Sequence, residues 1–168
     1  MNQPEFWLRG PVKDVPALLQ PVAHALLQAD DEIKTALASF PQDKLWNKPA
    51  GVASVGFHLQ HIPGVLDRLF TYAVGGQLSF EQLKYLSEEG LENESLKLNT
   101  LLDHLSAHIS LSINKLKEFR EEELASFRGV GRKQLPSTLL GLLFHSAEHT
   151  MRHTGQLIVT AKILSENE

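Results

Sequence analysis

Apolar residues recur every three or four positions over four long segments of the chain, as they do on one face of an α-helix. These segments predict helices over about residues 16–40, 54–75, 95–120 and 137–164. No segment of any length alternates apolar and polar residues with the period of a β-strand, and the chain has no internal repeat. Four long amphipathic helices predict an all-α fold, a four-helix bundle.

Shorter signals refine this pattern. Ser54 is suited to cap the second helix, and Pro63 inside that helix predicts a kink, because proline removes one backbone hydrogen bond. The segment Ser79-Phe-Glu-Gln82 has the spacing of a capping box and predicts a short extra helix that ends near residue 90. Residues 127–136 contain two glycines and predict a loop or a short hairpin over the bundle.

Composition limits the class of protein. The chain has 168 residues, 42% of them hydrophobic, which is enough for one core and predicts a single domain over residues 1–168. A net charge of -4 argues against a nucleic-acid clamp, which needs a basic face. No run approaches the roughly 20 apolar residues that cross a bilayer, and the polar N-terminus lacks the pattern of a signal peptide. We therefore expect a cytoplasmic protein without membrane or nucleic-acid partners.

The chain contains no cysteine and eight histidines. The absence of cysteine excludes disulfides, thiolate nucleophiles and iron-sulfur clusters, so that any metal must be held by His, Asp or Glu. His145, His149 and His153 recur every four residues, and together with Gln156 they form one narrow stripe beside the apolar face of the last helix. Two imidazoles at this spacing can reach one metal ion.

A metal site also needs a ligand from another helix, and the second helix offers His58 and His61, of which His61 lies nearer the middle of the apolar face. Three imidazoles would leave a position open for water or substrate. The alternative is that these histidines are hydrogen-bonded core residues. His104 and His108 form another i, i+4 pair, but they lie on the shoulder of the third helix, and we expect them on its solvated face.

Motifs of other enzyme classes are missing from the sequence. Thr150 follows His149 where a zinc protease motif would carry its glutamate. The helices lack the paired Glu and Glu-x-x-His pattern of di-iron bundles. The chain also has no glycine-rich phosphate loop and no serine-nucleophile elbow.

The block Ser54-Val-Gly-Phe-His-Leu-Gln-His61 and the later block His149-Thr-Met-Arg-His153-Thr-Gly-Gln156 together resemble the DinB-like, or YfiT-like, superfamily of bacterial four-helix proteins. In that family a Ser-x-Gly stretch leads into a histidine on the second helix, and the last helix carries His-x-x-x-His-Arg-Gly-Gln. One departure concerns the arginine after the last histidine, which is Thr154 here, while Arg152 faces elsewhere. We therefore do not expect this chain to make an anion contact that depends on that arginine.

The resemblance implies that His61, His149 and His153 are the ligands of a divalent metal ion, and that the protein is a homodimer. Family members with known activity include S-transferases that use bacillithiol or mycothiol and a maleylpyruvate isomerase. Three imidazoles accept Zn, Ni, Fe, Mn or Co, and we expect Zn. His58, Gln156 and His145 lie beside the implied ligands and are our candidates for orienting a ligand or substrate or moving a proton.

These observations lead to one functional hypothesis and one alternative. The hypothesis is a metal-dependent transferase or hydrolase in which the ion binds water or a low-molecular-weight thiol and lowers its pKa. The alternative is a non-catalytic helical bundle that binds a partner or senses metal. Metal identity and substrate are not encoded in the histidine pattern itself.

Overall fold

The computed structural model describes residues 3–166 and is mainly helical. Within these residues, five α-helices and one two-stranded hairpin follow each other, with short 3₁₀ turns between them. Their bounds are α1 Gln20–Ala36, α2 Val55–Ala73, α3 Phe80–Glu88, α4 Leu98–Leu116, β1 Phe127–Val130, β2 Leu135–Thr138 and α5 Leu139–Glu166.

The four long helices form the predicted bundle. α5 packs between α1 and α2, and α4 closes the bundle by packing against the same two helices. Leucine and isoleucine side chains from all four helices meet in one core and are fully buried, among them Leu26, Leu59, Leu105 and Leu157. The all-α four-helix architecture expected from the sequence is confirmed.

α2 begins where the sequence predicts, because the Ser54 hydroxyl accepts a hydrogen bond from the backbone N–H of Phe57 at 3.1 Å. The helix continues through Pro63 to Ala73 without an interruption. Most of its residues are buried, since it contacts both α4 and α5. This position brings one face of α2 against the histidine stripe of α5.

The short elements cover one side of α2. α3 packs against α2 and carries the predicted capping box, in which Ser79 and Gln82 exchange side-chain and backbone hydrogen bonds. The 127–138 segment is a hairpin with Phe127 opposite Thr138. The Arg128 side chain donates from Nε to the Ala73 carbonyl at 2.6 Å and ties this hairpin to the end of α2.

The predicted helix ends differ from the observed ones by up to four residues. α1 begins at Gln20 rather than near residue 16, because residues 17–19 form a 3₁₀ turn and Pro21 is placed in the first helical turn, where its missing N–H does no harm. α1 ends at Ala36 and α4 at Leu116, so the predicted extensions to residues 40 and 120 were wrong. The apolar period continues there because Phe40 and Phe119 fold back from non-helical segments into the core.

Among residues 3–166, no helix is long and apolar enough to span a bilayer.

Candidate metal centre

Four imidazole rings meet between α2 and α5. His61 Nε2 lies 2.9 Å from His149 Nε2, and His58 Nδ1 lies 3.0 Å from His153 Nδ1. The rings of His61 and His153 are 4.5 Å apart between centroids, which joins the two pairs into one cluster. We call these four residues the histidine cluster.

Helix geometry explains how distant parts of the sequence form this cluster. His149 and His153 are one turn apart on the same face of α5, and α2 packs directly against that helix. One nitrogen each of His61, His149 and His153 lies within 4.8 Å of the other two. The three residues that the family resemblance implies as ligands therefore lie together, on two neighbouring helices.

A buried carboxylate holds His61 from behind. Glu89 Oε2 accepts a hydrogen bond from His61 Nδ1 at 2.6 Å, and Glu89 Oε1 accepts another from Arg68 Nη1 at 2.5 Å. The Glu89 side chain is only 4% exposed. Because the carboxylate accepts at Nδ1, the neutral His61 ring carries its proton there and presents an unprotonated Nε2 to the cluster. Such a carboxylate behind a histidine is the usual support of a metal-ligating imidazole.

The position of Glu89 depends on several contacts between α2 and the end of α3. Gln60 accepts at Oε1 from the Gly90 N–H at 2.7 Å, and its backbone carbonyl accepts from the Tyr85 hydroxyl at 3.0 Å. Gly64 leaves room for the carboxylate, since a Cβ at that position would collide with Glu89, Arg68 and Tyr85. Burial and the Glu89 carboxylate raise the pKa of Tyr85, so that it remains a hydrogen-bond donor at neutral pH.

Burial keeps most of the cluster neutral. Desolvation and the neighbouring His61 lower the pKa of His58 and of His149 from 6.5 to about 4. The same causes, with His149 as a further neighbour, lower the pKa of His153 to about 3. Neutral imidazoles have a lone pair free, which is the form that binds a metal ion.

The lowered pKa values predict how the stability of the metal-free protein depends on pH. The unfolded histidines bind protons below about pH 6.5, whereas folded His58 and His149 do not until about pH 4, and folded His153 does not until about pH 3. The unfolded state therefore binds more protons in this window, and the free energy of unfolding falls as pH falls from 6.5 towards 4. Urea unfolding in chelator at pH 6.5, 5.75 and 5.0 measures this slope, above the range where most carboxylates titrate. We expect the slope to decrease in His153→Gln, and a flat wild-type profile would contradict the prediction.

The arrangement fits a divalent ion. Nitrogen ligands lie about 2.0–2.1 Å from zinc, which places two tetrahedral nitrogen ligands about 3.3 Å apart. The observed 2.9 Å between His61 Nε2 and His149 Nε2 needs only a small outward movement of the rings to reach that spacing. His149 Nδ1 is buried and has no hydrogen-bond partner within residues 3–166, so the cluster side of this ring provides its polar contact. Three imidazoles form a donor set that transition metals accept.

His58 lies deeper than the sequence predicted. It is 2% exposed, whereas the His61 side chain is 16% exposed, so the expectation that His61 lies nearer the middle of the apolar face was wrong. His58 contacts His153 of α5, whereas His61 contacts both His149 of α5 and Glu89, which follows α3. Within residues 3–166, the hydrogen bond to His153 is the one that joins the His58 ring to the other histidines of the cluster.

Two other candidate residues lie at the edge of the cluster. His145 is half exposed, its ring centroid is 5.2 Å from that of His149, and its Nδ1 lies 3.3 Å from Glu148. Glu148 also pairs with the exposed Arg152. Gln156 is exposed and lines a groove next to His58. A role of His145 or Gln156 in a reaction stays a prediction.

The expectation for the second histidine pair was wrong. His104 and His108 are half-buried rather than solvated, and burial lowers the pKa of both. α3 causes this burial, since the Tyr85 ring lies 5.9 Å from that of His104 and Gln82 binds the nearby Asp67. The expectation considered only the angular positions of the two histidines around α4, and these positions take no account of burial by α3.

The sequence interpretation missed the residues that hold His61. Glu89 follows a short helix and shares no periodic pattern with the histidines. The Phe57 ring stacks on the His61 ring with 4.9 Å between the ring centroids. The sequence pattern had included Phe57 only as one position of the Ser54–His61 motif. One available signal was Arg68, seven residues after His61 and thus on the same buried face, because a buried arginine requires a carboxylate partner.

Comparison with known proteins agrees with this architecture. A family model described as the DinB superfamily matches residues 25–157. A crystal structure titled as the conserved protein of locus from Enterococcus faecalis superposes with a TM-score of 0.70 at 19% identity, and the alignment covers 87% of this chain and 96% of that one. The search of curated proteins gives no match. The family match spans most of the chain and includes both helices of the histidine cluster, and the protein therefore belongs to the DinB superfamily.

Proposed function

We propose that the protein is a metal-dependent enzyme whose divalent ion is held by His61, His149 and His153. The observation that carries this proposal is the convergence of one nitrogen from each ring, together with the Glu89 carboxylate behind His61. Membership of the DinB superfamily, which is generally metal-associated, supports it further. Zinc is our preferred ion, and Ni, Fe or Mn could replace it.

Partial exposure of the three rings favours catalysis over a purely structural site. All three are neither fully buried nor fully exposed, and three protein ligands leave at least one coordination position for another molecule. A closed structural site would use four protein ligands. Among residues 3–166, His58 is the one other histidine that forms a hydrogen bond with a ring of the three-histidine group. That hydrogen bond engages Nδ1 of His153.

The remaining residues of the site orient the histidine rings and shield them from water. Glu89 fixes the His61 tautomer, Phe57 covers one face of that ring, and His58 orients His153 through Nδ1. A divalent ion here would supply Lewis acidity, which lowers the pKa of a water or thiol that it binds. We propose a transferase or hydrolase reaction on a small molecule, with a low-molecular-weight thiol as the candidate co-substrate.

Metal content tests the proposal. The protein is purified without a histidine tag, incubated with zinc and freed of excess ion, and its metal is measured by elemental analysis. We expect about one ion per chain in the wild type and in His145→Ala, and none in His149→Ala or His153→Ala, since two remaining imidazoles hold zinc weakly. His145 is the matched control because it is exposed on the same helix face.

Three results would contradict the proposal. A wild type that retains no ion would leave a helical bundle with a hydrogen-bonded histidine cluster. Equal retention by His145→Ala and His149→Ala would place the ion elsewhere. A loaded protein without activity towards any thiol and electrophile would favour the metal-sensing alternative. The expected homodimer and cytoplasmic location stay predictions.

A further inference from the structure

An apolar groove lies directly beside the histidine cluster. It has a volume of about 680 Å³ and runs between residues 49–53, which precede α2, and the second half of α5. Its walls carry apolar side chains that are 42–59% exposed, namely Val52, Val159 and Ile163. Pockets that bind small molecules have this size, with mainly apolar walls and a few polar groups.

His58 supplies one of those polar groups. It lines the groove and is 2% exposed, and its Nδ1 is engaged by His153. Its other ring nitrogen has no hydrogen-bond partner among residues 3–166. This nitrogen is not one of the buried unpaired atoms, and at the wall of the groove it is open to a hydrogen bond from a ligand. The groove is thus connected to the cluster through a single ring.

Gly155 provides an independent indication. It lies inside α5, where glycine costs roughly 1 kcal/mol relative to alanine. A Cβ built on Gly155 would meet no atom within 4 Å, so packing within the protein does not explain the missing side chain. Gly155 lines the groove, and a close approach of a ligand to the helix backbone gives the missing side chain a reason.

We propose that this groove binds the hydrocarbon part of the substrate, and that a hydrogen-bond acceptor of the substrate, such as a carbonyl oxygen, contacts His58. This inference rests on the proposed function in one respect. If His153 uses Nε2 for the ion, its Nδ1 carries the proton and donates to His58 Nδ1. The neutral His58 ring then carries its own proton on Nε2 and donates it into the groove.

Binding of methyl ketones tests the groove and its polar end separately. Titration calorimetry is carried out with 2-hexanone, 2-heptanone and 2-octanone on the zinc-incubated protein. We expect affinity to rise roughly fourfold per added methylene, as burial of a hydrocarbon chain requires. The ketones accept hydrogen bonds only, and n-octylammonium, which only donates, is expected to bind at least tenfold more weakly than 2-octanone.

Variants at three positions of the groove locate the binding. Gly155→Leu fills the groove and should reduce the affinity for 2-octanone at least tenfold, and Gly155→Ala should reduce it to a smaller extent while raising the unfolding temperature. His58→Phe keeps a ring of similar size and should lose the preference for the ketone while keeping the dependence on chain length. Ile163→Ser should weaken binding, and Leu140→Ser is its control, because Leu140 is 41% exposed on the same helix outside the groove.

The inference is overturned if affinity does not depend on chain length or if Gly155→Leu binds 2-octanone like the wild type. It is also overturned if sedimentation shows a wild-type dimer that Gly155→Leu dissociates, since a second copy would then occupy the groove. Failure of the proposed function looks different: the protein retains no zinc, yet the ketones bind with the same dependence on chain length. Zinc retention without ketone binding contradicts this inference alone.

Discussion

Replacing Glu89 by glutamine is expected to lower the free energy of unfolding by about 3–5 kcal/mol and metal affinity by about 10–100-fold. The stability loss follows because Arg68, whose side chain is 10% exposed, keeps a positive charge in a buried position without a carboxylate partner. The affinity loss follows because His61 loses the anionic acceptor that fixes its tautomer and raises the basicity of its free nitrogen. Urea unfolding in chelator and competition with a metal indicator measure the two effects.

Glu88 provides a matched control in the adjacent position. Its side chain is 55% exposed and lies near Lys84 in a surface pair, so Glu88→Gln should change the free energy of unfolding by less than about 0.5 kcal/mol. A Glu89→Leu, Arg68→Met double variant separates the two roles of Glu89. We expect it to recover most of the stability, since apolar residues can replace a buried ion pair, but not the metal affinity. Equal behaviour of Glu88→Gln and Glu89→Gln would contradict the assignment.

The sequence was sufficient for the fold because the fold depends on local periodicity. The apolar spacing of each long segment identifies a helix, and four such helices have few ways to bury their faces. The ends of the helices were less predictable. The apolar spacing of α1 continues as far as the buried Phe40, although the helix itself ends at Ala36. The hairpin was anticipated only as one of two options, since its four-residue strands are too short for a periodic signal.

The candidate site was predictable only in its helical part. His149 and His153 share a face by spacing alone, and this holds in any fold where residues 139–166 are helical. The choice between His58 and His61 depends on how α5 lies across α2, and spacing within α2 does not contain that information. Glu89 is still harder to predict, because its contact with His61 is made through the packing of α3 on α2. The burial of His104 and His108 depends on the same packing.

Zinc is expected to stabilise the folded protein by about 4 kcal/mol when the free ion is held at about 1,000 times its dissociation constant, because it binds the folded state and not the dispersed histidines of the unfolded chain. For a protein of this size, that corresponds to a rise in Tm of about 8–16 °C. The affinity arises from three rings that the bundle already holds within reach of one ion. Calorimetry at pH 7.5, with and without zinc, measures the rise, and excess chelator should reverse it.

Variants of the two histidine pairs decide where the stabilising ion binds. His61→Ala, His149→Ala and His153→Ala should each remove most of the rise in Tm. His104→Ala should retain the rise in Tm, although His104 is also a half-buried histidine that lies one helical turn from another histidine. The two pairs thus share their spacing along a helix. They differ in the third ring, which α2 supplies, among residues 3–166, to the pair on α5 and not to the pair on α4. A rise that survives in His149→Ala and disappears in His104→Ala would show that helical spacing, rather than convergence from two helices, governs binding.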